Sequence, residues 1–241
     1  MNVVVGASAG LGRALTEELA ARGHDLLLVA SDTRDLDAQA AHLRLTRAVN
    51  VETIATDLAT AAGVAEVASR ASAREVQSVL FPIGYSTPAD SGELLGEELR
   101  RVLAVNLESV IALTSALLPQ LLDRGTGSIV AFGSIAAARG MGRNVAYAAA
   151  KRGLRSYFES LSCLTRGSAV ETQLYQLGYV DTQQSFGQRL FPRPVAPARV
   201  ADHVIRNLGT GSRITYYPRY WRGLAASVQM MPEGLFYRLV R

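Results

Sequence analysis

Only one cysteine, Cys163, occurs in the 241 residues, so no disulfide can close within the chain; the default reading is a small buried residue in a reducing compartment. Histidine is equally scarce: His24, His42 and His203 stand far apart with no ligand spacing, which leaves metal-assisted chemistry unsupported. No unbroken apolar run reaches the roughly 18 to 20 residues of a membrane-spanning helix. Met1 to Val5 leads straight into a glycine-rich turn, without the basic start and longer apolar run of an export signal, so a cytoplasmic location is expected. Dense charge is also missing. Basic residues exceed acidic ones by 25 to 21, but they are scattered and form no dense run, so the +4 net charge fits a phosphate-bearing cofactor as well as it fits nucleic acid, and no nucleic-acid partner is expected.

What is present is alternation. Short apolar runs are each followed by a helical pattern: Val3 to Val5 then Leu11 to Ala21, Leu26 to Ala30 then Leu36 to Leu43, Glu52 to Thr56 then Val64 to Ala71. The series continues with a strand at Val76 to Ile83, a helix from Glu93 to Leu122, a strand at Ser128 to Phe132, a helix from Val145 to Thr165 and a strand at Val170 to Leu177. Repeated strand-helix-strand units build a parallel sheet with helices on both faces. The expected fold is therefore α/β: a doubly wound, Rossmann-like, three-layer single domain over 1–241, with 219–241 as an amphipathic C-terminal extension. Ligands in such folds sit beyond the carboxyl ends of the strands.

The first strand-helix junction reads Gly6-Ala7-Ser8-Ala9-Gly10-Leu11-Gly12. Glycines there allow a tight turn and let backbone N–H groups approach a pyrophosphate, whose charge is favoured at a helix N-terminus. Glycine also serves plain turn geometry, but its position at this junction favours nucleotide binding. Farther on, Tyr147-Ala148-Ala149-Ala150-Lys151 places a phenol and an ammonium four residues apart, hence on one helical face. Bringing a tyrosine from a pKa near 10 to neutrality needs about 4 kcal/mol of preferential anion stabilisation, part of which a nearby lysine supplies. Ser134 ends a strand upstream, and Asn106 interrupts an apolar helical stretch where an amide needs a buried partner.

The Gly-x-x-x-Gly-x-Gly spacing and the Tyr-x-x-x-Lys motif together resemble the short-chain dehydrogenase/reductase family over nearly the whole chain. The resemblance implies that Tyr147 is the general acid or base, and that Lys151 lowers its pKa and binds ribose. It further implies that Ser134 holds the reacting oxygen, and that Asn106 bends its helix around a proton-relaying water. For the cofactor it implies contacts from Gly6, Ser8, Gly10, Leu11, Gly12, Asp57, Leu58, Gly84, Val180 and Thr182, with Tyr147 and Lys151 taking part. Asp57 would meet the adenine, although an aspartate there could also cap the next helix. Thr182 would hold the nicotinamide end.

Two departures from the family pattern stand out. Phe81-Pro82-Ile83-Gly84 replaces the usual Asn-Asn-Ala-Gly, removing a bracing asparagine, and Leu177 replaces a proline. At the end of the second strand, Ala30 stands where NAD-preferring relatives carry aspartate, and Ser31 where NADP-preferring ones often carry arginine. With Ser31, Thr33 and Arg34 able to reach a phosphate, NAD(P)(H) binding with a lean to NADP(H) is expected, Asp32 being the counterargument.

The substrate loops are expected at Tyr85 to Leu95, Ile135 to Asn144 and Gln183 to Pro197. Arg139, Arg143, Arg189 and Arg193 in them are either solvated or available to an anionic group. The aromatic, methionine and arginine-rich tail from Tyr216 to Leu239 is expected to pack on protein, over the cleft or a partner subunit, with peripheral membrane association as the lesser reading. The implied function is an oxidoreductase interconverting a carbonyl and a secondary alcohol of a small molecule by hydride transfer, as a homodimer or homotetramer. Two further readings remain: the keto-reducing half of an epimerisation on a sugar or lipid-linked sugar, and a non-catalytic nucleotide sensor or scaffold.

Overall fold

The computed structural model describes residues 1–182, 187 and 190–240. Seven strands form one parallel sheet in the order β3-β2-β1-β4-β5-β6-β7: β1 (Asn2–Val5), β2 (Leu26–Ala30), β3 (Val51–Ala55), β4 (Ser78–Phe81), β5 (Gly127–Ser134), β6 (Val170–Leu177) and β7 (Arg213–Tyr217). The chain winds outward from β1 to β3, then crosses back to β4 and winds the other way. The resulting switch point lies between β1 and β4, where Asn2 pairs with Leu26 on one side and Ser78 on the other.

β1, β2 and β4 are buried along their full length, as strands covered on both faces must be. One face (Val3, Val5, Leu27, Val29) packs on α3 (Ala61–Ser72), α5 (Ser109–Arg124) and α6 (Val145–Leu164) through Val67, Leu113, Leu117, Phe158 and their neighbours. The other (Val4, Leu26, Leu28, Tyr175) packs on α1 (Gly10–Ala21), α2 (Thr33–Arg47) and α7 (Pro197–Arg206) through Leu15, Leu36 and Val204. The doubly wound, three-layer architecture expected from the alternation is thus the observed one.

The long helix expected from Glu93 to Leu122 begins later, with α4 (Gly96–Leu103), and runs through a five-residue π turn, Ala104–Glu108, into α5. At 29 residues, Gly96–Arg124 matches a membrane span by length and composition, although Asn106, Glu108 and Ser109 break its apolar run. Its apolar side, Val110, Leu113, Leu117 and Leu121, lies in the core against the sheet. Strand β4 is shorter than expected because Pro82 has no N–H to donate to a ladder. Cys163 is exposed near the end of α6 and is not a core residue. The extension folds as α8 (Trp221–Met230) and α9 (Glu233–Val240).

Beside β6 the buried Tyr175 ring stacks on Phe132 at 6.0 Å and meets the His203 imidazole edge-on at 6.0 Å, while His203 stacks on Tyr217 at 4.5 Å. Burial, reinforced by Arg213 and opposed by Asp202, holds the His203 pKa below its ordinary value. The folded state therefore binds fewer protons than the unfolded one, and the contribution is intact above the unfolded pKa of about 6.5. It is lost as pH falls below that value toward the depressed folded pKa. Urea unfolding across this range should show stability falling with acidity, and His203→Phe, which keeps the stack, should flatten that slope.

Candidate active site

The carboxyl ends of the strands converge on the switch point, and the glycine turn after β1 is the tightest part of this rim. Gly6 has φ +95°, and a Cβ on it would stand 2.8 Å from the Ile83 Cα, while a Cβ on Gly12 would overlap the Gly6 carbonyl oxygen. Only hydrogen fits at either place. Gly6 and Ala7 both donate to the Val29 carbonyl, at 2.7 and 3.0 Å, which ties the turn to β2. No side chain caps α1 at Ala9 and no acid occupies its first turn, so the helix start suits a pyrophosphate. Leu11 and Leu58 are buried in the two cores, so their side chains serve packing and only their main chain can face a ligand.

Across the rim Thr182 comes to the same place: its Cγ2 lies 3.0 Å from where a Cβ on Gly10 would be. Val180 bridges to Val195, and Asp181 N–H donates to the Val195 carbonyl at 2.9 Å, which holds the segment after β6. Arg189 lies outside the described residues, as does most of 183–189. Asp57 is not the cap of α3, because Thr60 accepts from Gly63 N–H at 3.1 Å in that role. Its carboxylate instead accepts from Ala59 N–H and from Arg101 Nη1, each at 2.9 Å.

At the end of β2, the Asp32 carboxylate is turned to cap α2, accepting from Asp35 N–H at 3.0 Å. Ser31 and Arg34 are exposed. Arg13, not singled out from the sequence, joins them: its guanidinium donates to the Ser8 carbonyl at 2.7 and 3.1 Å and lies 3.6 Å from Asp35. Its position just after the glycine motif was the available signal.

The four polar residues expected at the reacting end are brought together. Ser134 ends β5, and its hydroxyl accepts from Ala136 N–H at 3.1 Å and lies close enough to the Tyr147 phenol to favour its anion. Lys151, one turn along α6 and 4% exposed, puts its Nζ 5.7 Å from the centre of the Tyr147 ring and donates to the Phe132 carbonyl at 3.0 Å. Asn106 is fully buried within the π turn. Its Nδ2 donates to the carbonyls of Tyr85 at 2.6 Å and Val102 at 2.9 Å, and its Oδ1 accepts from Tyr85 N–H at 3.2 Å. Gly84 is exposed between them: a Cβ there would lie 3.5 Å from Asn106 Oδ1 and 3.9 Å from Lys151 Nζ.

The electrostatics of the protein alone differ from the sequence expectation. Burial raises the Tyr147 pKa, only partly offset by Ser134, and burial lowers Lys151 to about 8. Lysine does not depress the phenol here because desolvation penalises both charged forms and the ammonium is bonded to Phe132.

Two further residues were not legible in the sequence. Asp90, 2% exposed, accepts from the backbone N–H groups of Ala146 and Tyr147 at 2.9 Å each. Trp221 packs so tightly on Gly178, next to the end of β6, that any Cβ there would overlap the indole, and it meets Tyr179 edge-on at 5.4 Å. Arg139, read from the sequence as either solvated or anion-binding, is neither. It donates to the α8 carbonyl of Val228 at 2.9 Å and to Met231, and its guanidinium lies 4.1 Å from the centre of the Phe236 ring. The C-terminal helices are thereby fastened to the loop after β5.

A family model described as short chain dehydrogenase matches residues 1–189. The chain belongs to the short-chain dehydrogenase/reductase family. It is 26% identical over 241 residues to an uncharacterised oxidoreductase of Mycobacterium tuberculosis, covering 99% of this chain and 96% of that one. It is 28% identical over 185 residues to the 3-oxoacyl-[acyl-carrier-protein] reductase of Escherichia coli, covering 76% and 74%. Among solved structures, a short-chain dehydrogenase from Sphingobium yanoikuyae in complex with NADPH superposes with a TM-score of 0.85 at 26% identity, over 95% of this chain and 93% of that one. The protein is accordingly an NAD(P)(H)-dependent oxidoreductase acting on a small molecule.

Docking of α8 on the rim makes a stability prediction. Gly178→Ala alone should cost about 1–3 kcal/mol by overpacking against the indole. In a Trp221→Ala background, itself destabilised by about 3–5 kcal/mol, most of that cost should vanish. Additive losses in denaturant titrations would show that the two residues do not meet.

Proposed function

We propose that the protein interconverts a carbonyl and a secondary alcohol by hydride transfer, with Tyr147 as the acid or base and NADP(H) as the preferred cofactor. The observation that carries this reading is the meeting of the Ser134 hydroxyl, the Tyr147 phenol and, one helical turn away, the Lys151 ammonium at the mouth of the glycine cradle. The bound nicotinamide supplies and accepts the hydride. Everything else falls to this chain. Ser134 donates to the substrate oxygen and orients it, Tyr147 passes its proton to or from that oxygen, and Lys151 offers N–H groups beside Gly84 for a ribose. The raised pKa keeps the phenol protonated at neutral pH, the state needed to give a proton to a carbonyl.

Preference for the 2′-phosphate rests on the end of β2: no acid stands at Ala30, Asp32 is committed to its helix cap, and Arg13, Ser31 and Arg34 surround the place. Asp35, beside Arg13, opposes it.

In fluorescence titrations NADPH should bind more tightly than NADH, and Arg13→Ala should narrow the gap. With NADPH and an aromatic carbonyl probe such as phenanthrenequinone, Tyr147→Phe should lower kcat by about 10²–10⁴ with cofactor affinity retained. Full activity in that variant, or no turnover by the wild type across a panel of ketones and quinones, would overturn the assignment.

The pH profile adds an independent check. Lys151 carries its charge below a pKa of about 8 and loses it above, so kcat/KM for reduction should be level near neutrality and fall as pH rises through that value. Lys151→Met should remove that limb along with most of the rate.

A further inference from the structure

The helix that carries Tyr147 begins without a cap of its own. Asn144 precedes it in the left-handed conformation, φ 54° and ψ 46°, and its side chain bonds to no helix N–H. Nor is the preceding segment packed in: residues 140–145 are exposed, and a Cβ on Gly140 or Gly142 would meet open space. The first buried residues of α6 are alanines, Ala146, Ala148 and Ala150, which pack without interlocking. Yet the site needs the phenol at one height relative to Ser134, whose strand fixes it through the β5–β6 register Ser134 to Leu177.

We infer that Asp90, from the loop after β4, is the residue that sets this height, and so is a positioning residue for Tyr147. The inference rests on the reading of Tyr147 as the proton-transferring group. Both carboxylate oxygens are used: Oδ1 takes the Ala146 N–H and Oδ2 the Tyr147 N–H, each at 2.9 Å, while the Asp90 carbonyl takes the Asn144 N–H at 2.7 Å. Three N–H groups at the helix start, those of Asn144, Ala146 and Tyr147, are therefore tied to one residue of another loop. The carboxylate does in trans what an N-cap does in cis, and its charge faces the positive end of the α6 dipole. Being bidentate, it fixes both the rotation and the axial position of the first turn. The loop bearing it is itself anchored at its near end, where Asn106 holds both backbone groups of Tyr85. Substrate contacts made by the 85–95 loop are thereby linked to the position of the phenol.

The test uses the full-length enzyme with NADPH and phenanthrenequinone, below the melting midpoint of every variant. Asp90→Ala should lower kcat by about 10²-fold, the usual cost of a misplacement near 1 Å, with NADPH affinity unchanged. Asp90→Asn, the same size but with only one accepting oxygen, should recover part of it, with a loss of about tenfold. A residue that merely stabilises the fold would lower the melting midpoint and leave kcat per folded molecule alone. If Asp90→Ala does not fold, Asp90→Asn decides, and wild-type kcat in that variant overturns the inference. Tyr147→Phe run in parallel separates the two failures: an active Tyr147→Phe sinks the underlying mechanism, whereas an inactive Tyr147→Phe beside a fully active Asp90 variant sinks only the positioning role.

Discussion

A carboxamide enclosed by protein has to find hydrogen-bond partners or charge the fold the desolvation of each polar atom. At Asn106 this requirement organises the region between the sheet and the catalytic helix. The amide reaches back to the Val102 carbonyl, within its own helix, and across to both backbone groups of Tyr85. The helix accommodates this with a π turn, Ala104–Glu108, a distortion that costs regular hydrogen bonding and is tolerated where something else is gained. The gain is a fixed starting point for the loop after β4. From that point the loop exposes Gly84 beside Lys151 and carries Asp90 to the first turn of α6. One buried amide thus aligns two helices and a loop around the reacting end of the site.

The same burial sets the electrostatics. A phenol and an ammonium placed in a low-dielectric pocket both resist their charged forms, so the tyrosine pKa rises and that of the lysine falls to about 8. Burial drives their proton affinities apart, the phenol's upward and the amine's downward. Such a pair holds its proton on the phenol at neutral pH and leaves the lysine mostly charged.

The sheet was legible in the sequence because fully buried parallel strands read as short unbroken apolar runs, as Val3 to Val5 and Leu26 to Ala30 do. Motif spacing likewise identified Ser134, Tyr147 and Lys151, whose meeting needs only a strand end and one helical turn. What escaped depended on contacts between distant segments. β7 was missed because Arg213–Tyr217 is an edge strand, only partly buried along its length, with no apolar run to mark it. Asp90 was missed because it caps a helix that starts more than fifty residues later, whereas sequence cap patterns are local. Cys163 was misplaced because small residues on a helix are compatible with either face.

The C-terminal helices extend the argument from catalysis to recognition. Arg139 belongs to the loop that follows Ser134, and it spends its guanidinium on the carbonyls ending α8 and on the face of Phe236, where the helix dipole and the ring quadrupole both favour a cation. Trp221 at the other end of α8 presses on Gly178, directly after the strand that pairs with Ser134. The same helix therefore touches the loops after β5 and after β6. A change in the packing of α8 would be felt by both of these loops.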